Sequence, residues 1–213
     1  MLSKRLLIIG AGGHGKVAAD CAETLGLYDQ IAFLDSRFPA EKKIGDWQIL
    51  GQPESATSFK NPETDFFVAI GNNLIRQQVT NGLRKNKIDV VTLIHPSSAV
   101  SRFAELSNGI LVCANATINP MAKIGAGSII NTAASVDHDC QIGDYAHISV
   151  GVRLAGGVVI GNSSFIGINS CVIQGVTIGK NCMLGAGAAL VDDLPDNTTA
   201  VGVPAKVIKN NDK

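Results

Sequence analysis

An aliphatic residue recurs at every sixth position through the second half of this chain. Every step of six falls on Ile, Leu or Val at Val100, Leu106, Val112, Ile118, Ile124, Ile130, Val136, Ile142, Ile148, Leu154, Ile160, Ile166, Val172, Ile178, Leu184 and Leu190. These three residue types make up about a quarter of the chain, so chance agreement has odds on the order of one in a billion. The repeat therefore determines the fold of residues 100–190.

A small residue follows each aliphatic one after four positions. From Ile118 to Leu184 these residues are Ala122, Ser128, Ala134, Cys140, Ala146, Val152, Val158, Ser164, Ser170, Val176, Cys182 and Ala188. A period of six matches neither the 3.6-residue period of a helix nor the alternation of a half-buried strand. Three hexads form one triangular turn of a parallel β-helix, in which residues eighteen apart stack. The pattern predicts an all-β parallel β-helix of about five turns, whose open surfaces need a cap or another subunit.

The first ninety residues have a different periodicity. A short apolar run at residues 5–9 leads into a glycine loop and a helical stretch through Leu25. Residues 31–35 and 66–71 are typical of further strands, and residues 72–87 of a second helix. We therefore expect a small parallel α/β domain over residues 1–92 and the β-helix domain, with a C-terminal cap, over residues 93–213.

A glycine motif lies between the first strand and the first helix. Gly10, Gly12 and Gly15 satisfy G-x-G-x-x-G, and Asp35 ends the next strand. This Rossmann-like arrangement seats a diphosphate on a helix N-terminus and a ribose on a carboxylate. The alternative is a turn that only allows close packing of helix and strand. A nicotinamide dehydrogenase would need the other half of the dinucleotide fold, so a single nucleotide is the better match.

Charge and cysteine content exclude several classes of partner. The chain has 18 Lys and Arg against 18 Asp and Glu, which disfavours nucleic acid and anionic membranes as partners. No stretch of eighteen apolar residues occurs, and the run at residues 6–9 passes directly into the glycine loop, unlike a signal peptide. A cytoplasmic location is expected. Five cysteines without a CxxC pair favour buried, reduced thiols over disulfides or zinc ligands.

Several motifs together resemble a known family. In chain order they read LLIIGAGGHGKVAAD, AIGNNLIR, LIHPSSAVS, the hexads with VDHDCQIGDYAHIS, and GVPAKVI. This combination resembles the NeuD/PglD-type sugar acetyltransferases, which are hexapeptide-repeat acyltransferases. The resemblance implies a left-handed β-helix, acetyl-CoA as donor, a nucleotide sugar bound by the N-terminal domain, and a homotrimer with active sites between subunits.

A γ-class carbonic anhydrase would use the same β-helix with a different site. Its zinc ion needs three histidine ligands. This segment offers His138 and His147, with His95 at its periphery. We therefore expect no metal.

The expected catalytic residues lie in the middle of the β-helix. His138 occupies an outward hexad position, and the resemblance implies that it is the general base. Asp139, or alternatively Asp137, would orient and polarise its imidazole, although the family's usual acid is Glu. By resemblance, His147 contacts acetyl-CoA. Gly156 stacks eighteen residues above His138, and its N–H could donate to the thioester carbonyl.

Further residues are expected to bind the two substrates. Ile168 and Ala186 would line a groove for the pantetheine arm, and Lys206 would meet the CoA phosphates or remain a solvated lysine. On the acceptor side, the residues that resemble family positions near the nucleotide are Gly12, Gly13, His14, Asp35, Arg37, Gly71, Asn72 and Arg76. For the two arginines, a solvated charge is the alternative. Cys140 falls on a small inward position, which argues against a covalent thiol intermediate.

These features lead to one expected reaction and two alternatives. We expect direct transfer of acetyl from acetyl-CoA to the 4-amino group of a nucleotide-linked 4-amino-4,6-dideoxy sugar. UDP is the first expectation for the nucleotide, and the residues do not separate it from dTDP or GDP. Sialic acid O-acetylation is the alternative reaction, because amine and hydroxyl acceptors need the same base. A non-catalytic nucleotide-sugar-binding scaffold is the alternative of another class.

Overall fold

Short parallel strands make up most of the secondary structure. The structure, a computed structural model, describes residues 4–210. The chain divides into two compact units, Met1–Pro96 and Ser97–Lys213. No helix among the described residues has the length and apolarity that a membrane crossing would need.

The N-terminal unit contains a five-stranded sheet and two α-helices. Its elements are β1 (Arg5–Ile9), α1 (Gly13–Leu25), β2 (Gln30–Leu34), β3 (Lys43–Ile44), β4 (Trp47–Gly51), a 3-10 helix (Pro53–Phe59), β5 (Thr64–Val68), α2 (Asn73–Lys85) and β6 (Leu93–Ile94). The sheet order is β3-β4-β2-β1-β5. All pairs are parallel except β3 with β4. The predicted α/β, Rossmann-like fold is confirmed.

Aliphatic and aromatic side chains fill the core of this unit. Leu7 and Ile8 of β1 and Phe33 of β2 are fully buried. The β3–β4 hairpin was not predicted from the sequence. Trp47 starts β4, packs edge-on against Phe33 with ring centroids 6.0 Å apart, and donates its indole N–H to Glu23. The parallel pairing of β4 with β2 and the Trp47 side chain together hold the hairpin at the edge of the sheet.

The C-terminal unit is a left-handed parallel β-helix, as predicted. Its two-residue strands β7 to β22 are Ala99–Val100, Glu105–Leu106, Leu111–Val112, Thr117–Ile118, Lys123–Ile124, Ile129–Ile130, Ser135–Val136, Gln141–Ile142, His147–Ile148, Arg153–Leu154, Val159–Ile160, Phe165–Ile166, Cys171–Val172, Thr177–Ile178, Met183–Leu184 and Ala189–Leu190. Each strand pairs in parallel with strands eighteen residues away, as Ser135 does with Thr117 and Arg153. Three walls result.

The second residue of each strand points into the helix. Every hexad aliphatic from Val112 to Leu190 is at most 3% exposed, and burying each such side chain contributes roughly 1.5–3 kcal/mol. The small residues complete the interior. Ser128 and Ser164 are fully buried there, and their hydroxyls donate to the carbonyl oxygens of Gly143 and Gly179. These two hydroxyls are therefore hydrogen-bonded, as buried polar groups usually are.

An antiparallel hairpin follows the last coil. It consists of β23 (Thr198–Gly202) and β24 (Ala205–Asn210). β23 pairs with β21, so that the wall continues into the hairpin. The hairpin follows the point where the hexad register ends, in the segment where a cap is predicted.

Candidate active site

The corner after β13 presents a histidine and an aspartate to solvent. The Nδ1 atom of His138 lies 2.7 Å from Oδ2 of Asp139, and the two side chains are 62% and 65% exposed. Asp139 adopts a left-handed backbone conformation, with φ of 60°, which Asp tolerates better than most residues. This conformation turns the chain at the corner while its carboxylate reaches back to the ring.

The contact with Asp139 determines which nitrogen of His138 is free. A carboxylate only accepts hydrogen bonds, so Nδ1 carries the proton and Nε2 of the neutral ring keeps its lone pair. The hydrogen bond to Asp139, aided by the negative charge of Asp137, raises the pKa of His138 above its ordinary value. A general base with an orienting carboxylate would need this arrangement.

Gly156 lies against the reactive edge of this ring. A Cβ atom added at Gly156 would be 2.5 Å from both Cε1 and Nε2 of His138. Among the residues that the structure describes, no group accepts a hydrogen bond from the Gly156 N–H. The residue that carries this donor therefore lies against the His138 ring, which makes its N–H a candidate oxyanion donor.

Asp137 has a different role from Asp139. Its Oδ1 atom accepts one hydrogen bond from Asn119 Nδ2 and one from the His138 backbone N–H, both at 2.7 Å. These bonds lower the pKa of Asp137, with the larger effect from Asn119. Of the two candidate partners for the imidazole, Asp139 is therefore the one that contacts it.

His147 belongs to a second cluster, on the strand β15. Its side chain is only 8% exposed and packs edge-on against Phe165 with ring centroids 5.0 Å apart. Its Nε2 atom lies 3.1 Å from Asn131 Nδ2, and Asn131 Oδ1 accepts the Thr132 N–H. That acceptance fixes the amide orientation, so Nδ2 donates to Nε2 and the neutral ring carries its proton on Nδ1.

Asn131 is a residue that sequence reasoning missed. It follows the core residue Ile130 at a corner where Gly or Ser is common in this chain. A long polar side chain at such a position is the signal that could have identified it.

The predicted donor-binding residues are accessible. Ile168 and Ala186 are exposed and stack, because the Gly187 N–H donates to the Ile168 carbonyl. Lys206 lies on β24, where its Nζ is 3.6 Å from Asp192 Oδ2. The lysine is exposed and forms a surface ion pair, which holds it only weakly.

Cys140 is buried two residues after His138. Its thiol lies 3.2 Å from the Ala155 carbonyl, and burial raises its pKa. A thiol of this kind is a poor nucleophile at neutral pH.

The glycines of the N-terminal motif fall into two groups. A Cβ atom at Gly15 would overlap the Gly10 carbonyl, and Gly10 itself has φ of 97°. These two glycines allow α1 to approach β1 closely. By contrast, a Cβ atom at Gly12 or Gly13 would meet nothing within 4 Å. Gly12 caps α1 without a side-chain hydrogen bond, so the N-terminus of α1 is open to an anion.

Asp35 anchors this loop. Its carboxylate accepts hydrogen bonds from the Ala11 N–H and from the N–H, Nε and Nη2 of Arg37. Arg37 also donates to the Ala11 carbonyl and pairs with Glu41. The Arg37 hydrogen bond is the main cause that lowers the pKa of Asp35 to about 2. Since a carboxylate has about four acceptor sites, those of Asp35 are already used within the protein.

Arg76 is not a solvated charge. It is 2% exposed, and its guanidinium donates to the carbonyls of Ile70 and Gly71 and to Asn73 Oδ1. Burial and the charge of Arg76 lower the pKa of His14 to about 4. His14 is therefore neutral at physiological pH.

Gly71 and Asn72 lie where β5 leads into α2. Gly71 is exposed. Asn72 caps α2 by accepting the Ile75 N–H. The structure thus brings two helix N-termini together with a buried guanidinium, a combination that favours an anionic ligand.

Potential metal ligands are the His, Cys, Asp and Glu side chains. Among residues 4–210, no group of three or more His, Cys, Asp or Glu side chains could hold a metal ion.

Two family models match parts of the chain. Residues 5–83 match the PglD N-terminal domain, and residues 157–191 match the bacterial transferase hexapeptide of six repeats. A curated relative is UDP-N-acetylbacillosamine N-acetyltransferase of Bacillus subtilis (strain 168), which is 37% identical over 113 residues. That alignment spans 52% of this chain and 52% of the Bacillus protein, or about half of each.

Solved structures match over nearly the full length. The acetyltransferase domain of PglB from Neisseria gonorrhoeae FA1090, in complex with acetyl coenzyme A, is 40% identical with a TM-score of 0.93, covering 97% of this chain and 100% of that one. PerB from Caulobacter crescentus, in complex with CoA and GDP-perosamine, is 36% identical with a TM-score of 0.91, covering 98% and 99%. The chain therefore belongs to the PglD-type, hexapeptide-repeat sugar N-acetyltransferases.

Proposed function

We propose that this protein transfers the acetyl group of acetyl-CoA to the 4-amino group of a nucleotide-linked 4-amino-4,6-dideoxy sugar. One observation carries the proposal: an exposed imidazole whose Nδ1 atom is 2.7 Å from a carboxylate and whose Nε2 edge lies against Gly156. This arrangement suits deprotonation of a nucleophile that attacks a thioester.

The proposed reaction assigns one task to each residue. As the sugar amine attacks the thioester carbonyl, a C–N bond forms and Nε2 of His138 accepts the amine proton. Asp139 stabilises the resulting imidazolium, and the Gly156 N–H donates to the carbonyl oxygen as negative charge develops. The C–S bond then breaks, its electron pair leaves with the CoA sulfur, and the imidazolium returns the proton to that sulfur. The buried Cys140 takes no part, so no acyl-enzyme forms.

The acetyl donor is proposed to lie along the β-helix. Ile168 and Ala186 are exposed one coil apart, which suits contacts with a pantetheine arm. His147, held as its Nδ1–H form by Asn131, would contact the same ligand, and Lys206 would exchange Asp192 for a CoA phosphate. The acetyl-CoA complex of the gonococcal relative supports this choice of donor.

The acceptor nucleotide is proposed to bind the N-terminal unit. Its diphosphate would lie at the N–H groups of Gly12 and Gly13, within the positive field of Arg76. Gly71, Asn72 and His14 are the other proposed contacts. The names of two relatives contain UDP-N-acetylbacillosamine and GDP-perosamine, which supports a nucleotide-linked amino sugar as the acceptor. UDP is the first candidate for the nucleotide, with dTDP and GDP as alternatives.

Asp35 and Arg37 are proposed to support nucleotide binding mainly by holding the glycine loop between β1 and α1 in place. Because the carboxylate already accepts the Ala11 N–H, its main contribution is to hold the glycine loop in shape. A direct contact with the ribose, as expected from the sequence, would require one of its present hydrogen bonds to be exchanged.

The proposal includes a homotrimer with active sites between subunits, in the cytoplasm, where acetyl-CoA is made and used. His138, Ile168 and Ala186 are all exposed, so a second surface is needed to enclose the reacting groups. Sedimentation equilibrium should give three times the chain mass. A fully active monomer would contradict this part of the proposal.

A thiol-release assay with acetyl-CoA tests the reaction. The acceptors are UDP-, dTDP- and GDP-linked 4-amino-4,6-dideoxy sugars, together with free and CMP-linked sialic acid. We expect turnover on one amino sugar, reduced about 10²–10⁴-fold in His138→Ala and unchanged in Gln141→Ala, which alters another wall. Turnover on sialic acid alone would indicate O-acetylation. Binding of a nucleotide sugar without turnover would indicate a scaffold.

A further inference from the structure

We propose that Asn119 and Asp137 form a positioning pair that fixes the backbone beneath His138 and thereby the orientation of its imidazole. Their hydrogen bonds join the two side chains to each other and to the His138 backbone N–H, so both would act through the backbone of His138. The inference rests on the proposed role of His138 as the general base. It adds a second carboxylate, with a task distinct from that of Asp139.

The geometry links two consecutive coils to one backbone N–H. Asn119 precedes Asp137 by eighteen residues, so the two side chains are neighbours at the same corner of successive coils. The amide of Asn119 donates to Oδ1 of Asp137, and the same oxygen accepts the His138 N–H, each at 2.7 Å. The chain of contacts therefore runs from one coil directly to the peptide group that carries the base.

The remaining peptide groups of this corner are also anchored to neighbouring coils. The Asp139 N–H donates to the Pro120 carbonyl at 3.2 Å, and the His138 carbonyl accepts the Gly157 N–H at 2.9 Å. Both backbone polar groups of His138 are thus hydrogen-bonded: its N–H donates to Asp137 Oδ1, and its carbonyl accepts the Gly157 N–H. The ring direction depends on this backbone, because the Cα–Cβ bond leaves it at a fixed angle. The 2.7 Å contact with Asp139 in turn depends on the ring direction.

Residue choice along this wall agrees with the inference. Directly after the core aliphatic, the six strands of the wall carry Ser101, Asn119, Asp137, Ala155, Ile173 and Val191. The one amide and the one carboxylate of this series therefore lie on successive coils, next to His138.

Charge gives the pair a second, measurable effect. Asp137 and Asp139 are the charged groups among the described residues that act on His138, and both raise its pKa. Asp139 does so mainly through its hydrogen bond, whereas Asp137 does so through its negative charge. All three side chains are accessible to solvent, so the contribution of Asp137 should weaken as salt is added.

Two substitutions separate position from charge. Asp137→Asn keeps an Oδ1 acceptor for both hydrogen bonds but removes the charge. The acid limb of the kcat–pH profile should then move to lower pH, while plateau kcat changes only a few-fold. Asn119→Ala leaves Asp137 untethered. It should lower kcat about tenfold, in the range of small displacements of a catalytic group, with KM for both substrates unchanged.

A matched control removes a similar tie elsewhere. Asn162 Oδ1 accepts the Asp144 N–H at 2.9 Å across the same eighteen-residue interval, at a corner of another wall. Asn162→Ala should therefore affect thermal stability as much as Asn119→Ala does, with kcat and its pH profile unchanged. Equal kinetics for the two variants would overturn the positioning role.

A direct titration makes the test independent of turnover. The NMR signal of His138 Hε1, identified by its loss in His138→Ala, should titrate at lower pH in Asp137→Asn than in the wild type. An unchanged titration would refute the electrostatic role. If His138→Ala keeps wild-type activity, the proposed function itself fails. If His138→Ala is inactive while Asn119→Ala and Asp137→Asn behave as wild type, only the present inference fails.

Discussion

Gly156→Ala places a methyl group against the reactive edge of the proposed base. The new Cβ atom would lie 2.5 Å from Cε1 and Nε2 of His138 and 3.2 Å from Cδ2. Non-bonded carbon atoms are most stable about 3.5–4.0 Å apart. The ring must therefore retreat from residue 156 by about 1 Å.

The expected loss follows from this displacement. A misplacement of about 1 Å at a catalytic group costs on the order of 10²-fold in rate, which corresponds to about 2.7 kcal/mol of barrier. Folding should be affected less, because φ of Gly156 lies outside the left-handed region and alanine can adopt it. We expect kcat to fall about a hundredfold in a protein that remains folded.

Thiol release with the preferred acceptor gives kcat, and thermal denaturation reports folding. Gly82→Ala is the control, since a Cβ atom there meets nothing within 4 Å. In the interior of a helix such as α2, alanine is more stable than glycine by about 0.5–1 kcal/mol. This control should keep full activity. If folded Gly156→Ala retains at least a third of wild-type kcat, the arrangement of His138 and Gly156 is not the catalytic one.

Three further outcomes are expected. Asp139→Asn keeps an acceptor for Nδ1–H but replaces the charge-assisted hydrogen bond that raises the pKa of His138 by a weaker, neutral one, so the acid limb of kcat should move to lower pH; an unmoved limb would contradict this partner. The pKa of Asp35 is lowered from 3.8 to about 2, so its stabilisation is present above pH 4 and should decline by about 2 kcal/mol as pH falls towards 2; Asp35→Asn should remove this decline in acid denaturation. Ile142 is buried and its neighbour Gln141 is exposed, so Ile142→Ala should lower the free energy of unfolding by about 2–5 kcal/mol and Gln141→Ala by less than about 0.5 kcal/mol, as measured by urea denaturation.

The β-helix could be predicted from the sequence because one local rule is repeated at every corner. An aliphatic residue at each sixth position is enough to define the walls, and it places His138 on the outside. The partners of Asp137 could not be derived in this way. Whether a carboxylate turns to the ring or to the backbone depends on side-chain torsions, which spacing does not determine.

The N-terminal unit was less predictable in its details. Its strands and helices follow from apolar runs and the glycine motif. The four hydrogen bonds of Asp35 and the burial of Arg76 involve Ala11 and Ile70, whose backbones approach only after the sheet has formed. Sequence alone therefore identified the residues around the loop and left open which of them hold it in place.

Because residues eighteen apart stack on successive coils, the number of residues between two functional positions decides whether they meet. Asn119 and Asp137, His138 and Gly156, and Ile168 and Ala186 are each separated by that interval. Deleting one hexad between His138 and Gly156 would preserve the aliphatic period, yet it would carry Gly156 to a different wall. Insertion or deletion of a hexad between two paired residues can thus leave the fold intact and still separate the residues that act together. Adding or removing a whole turn outside these pairs would not separate them.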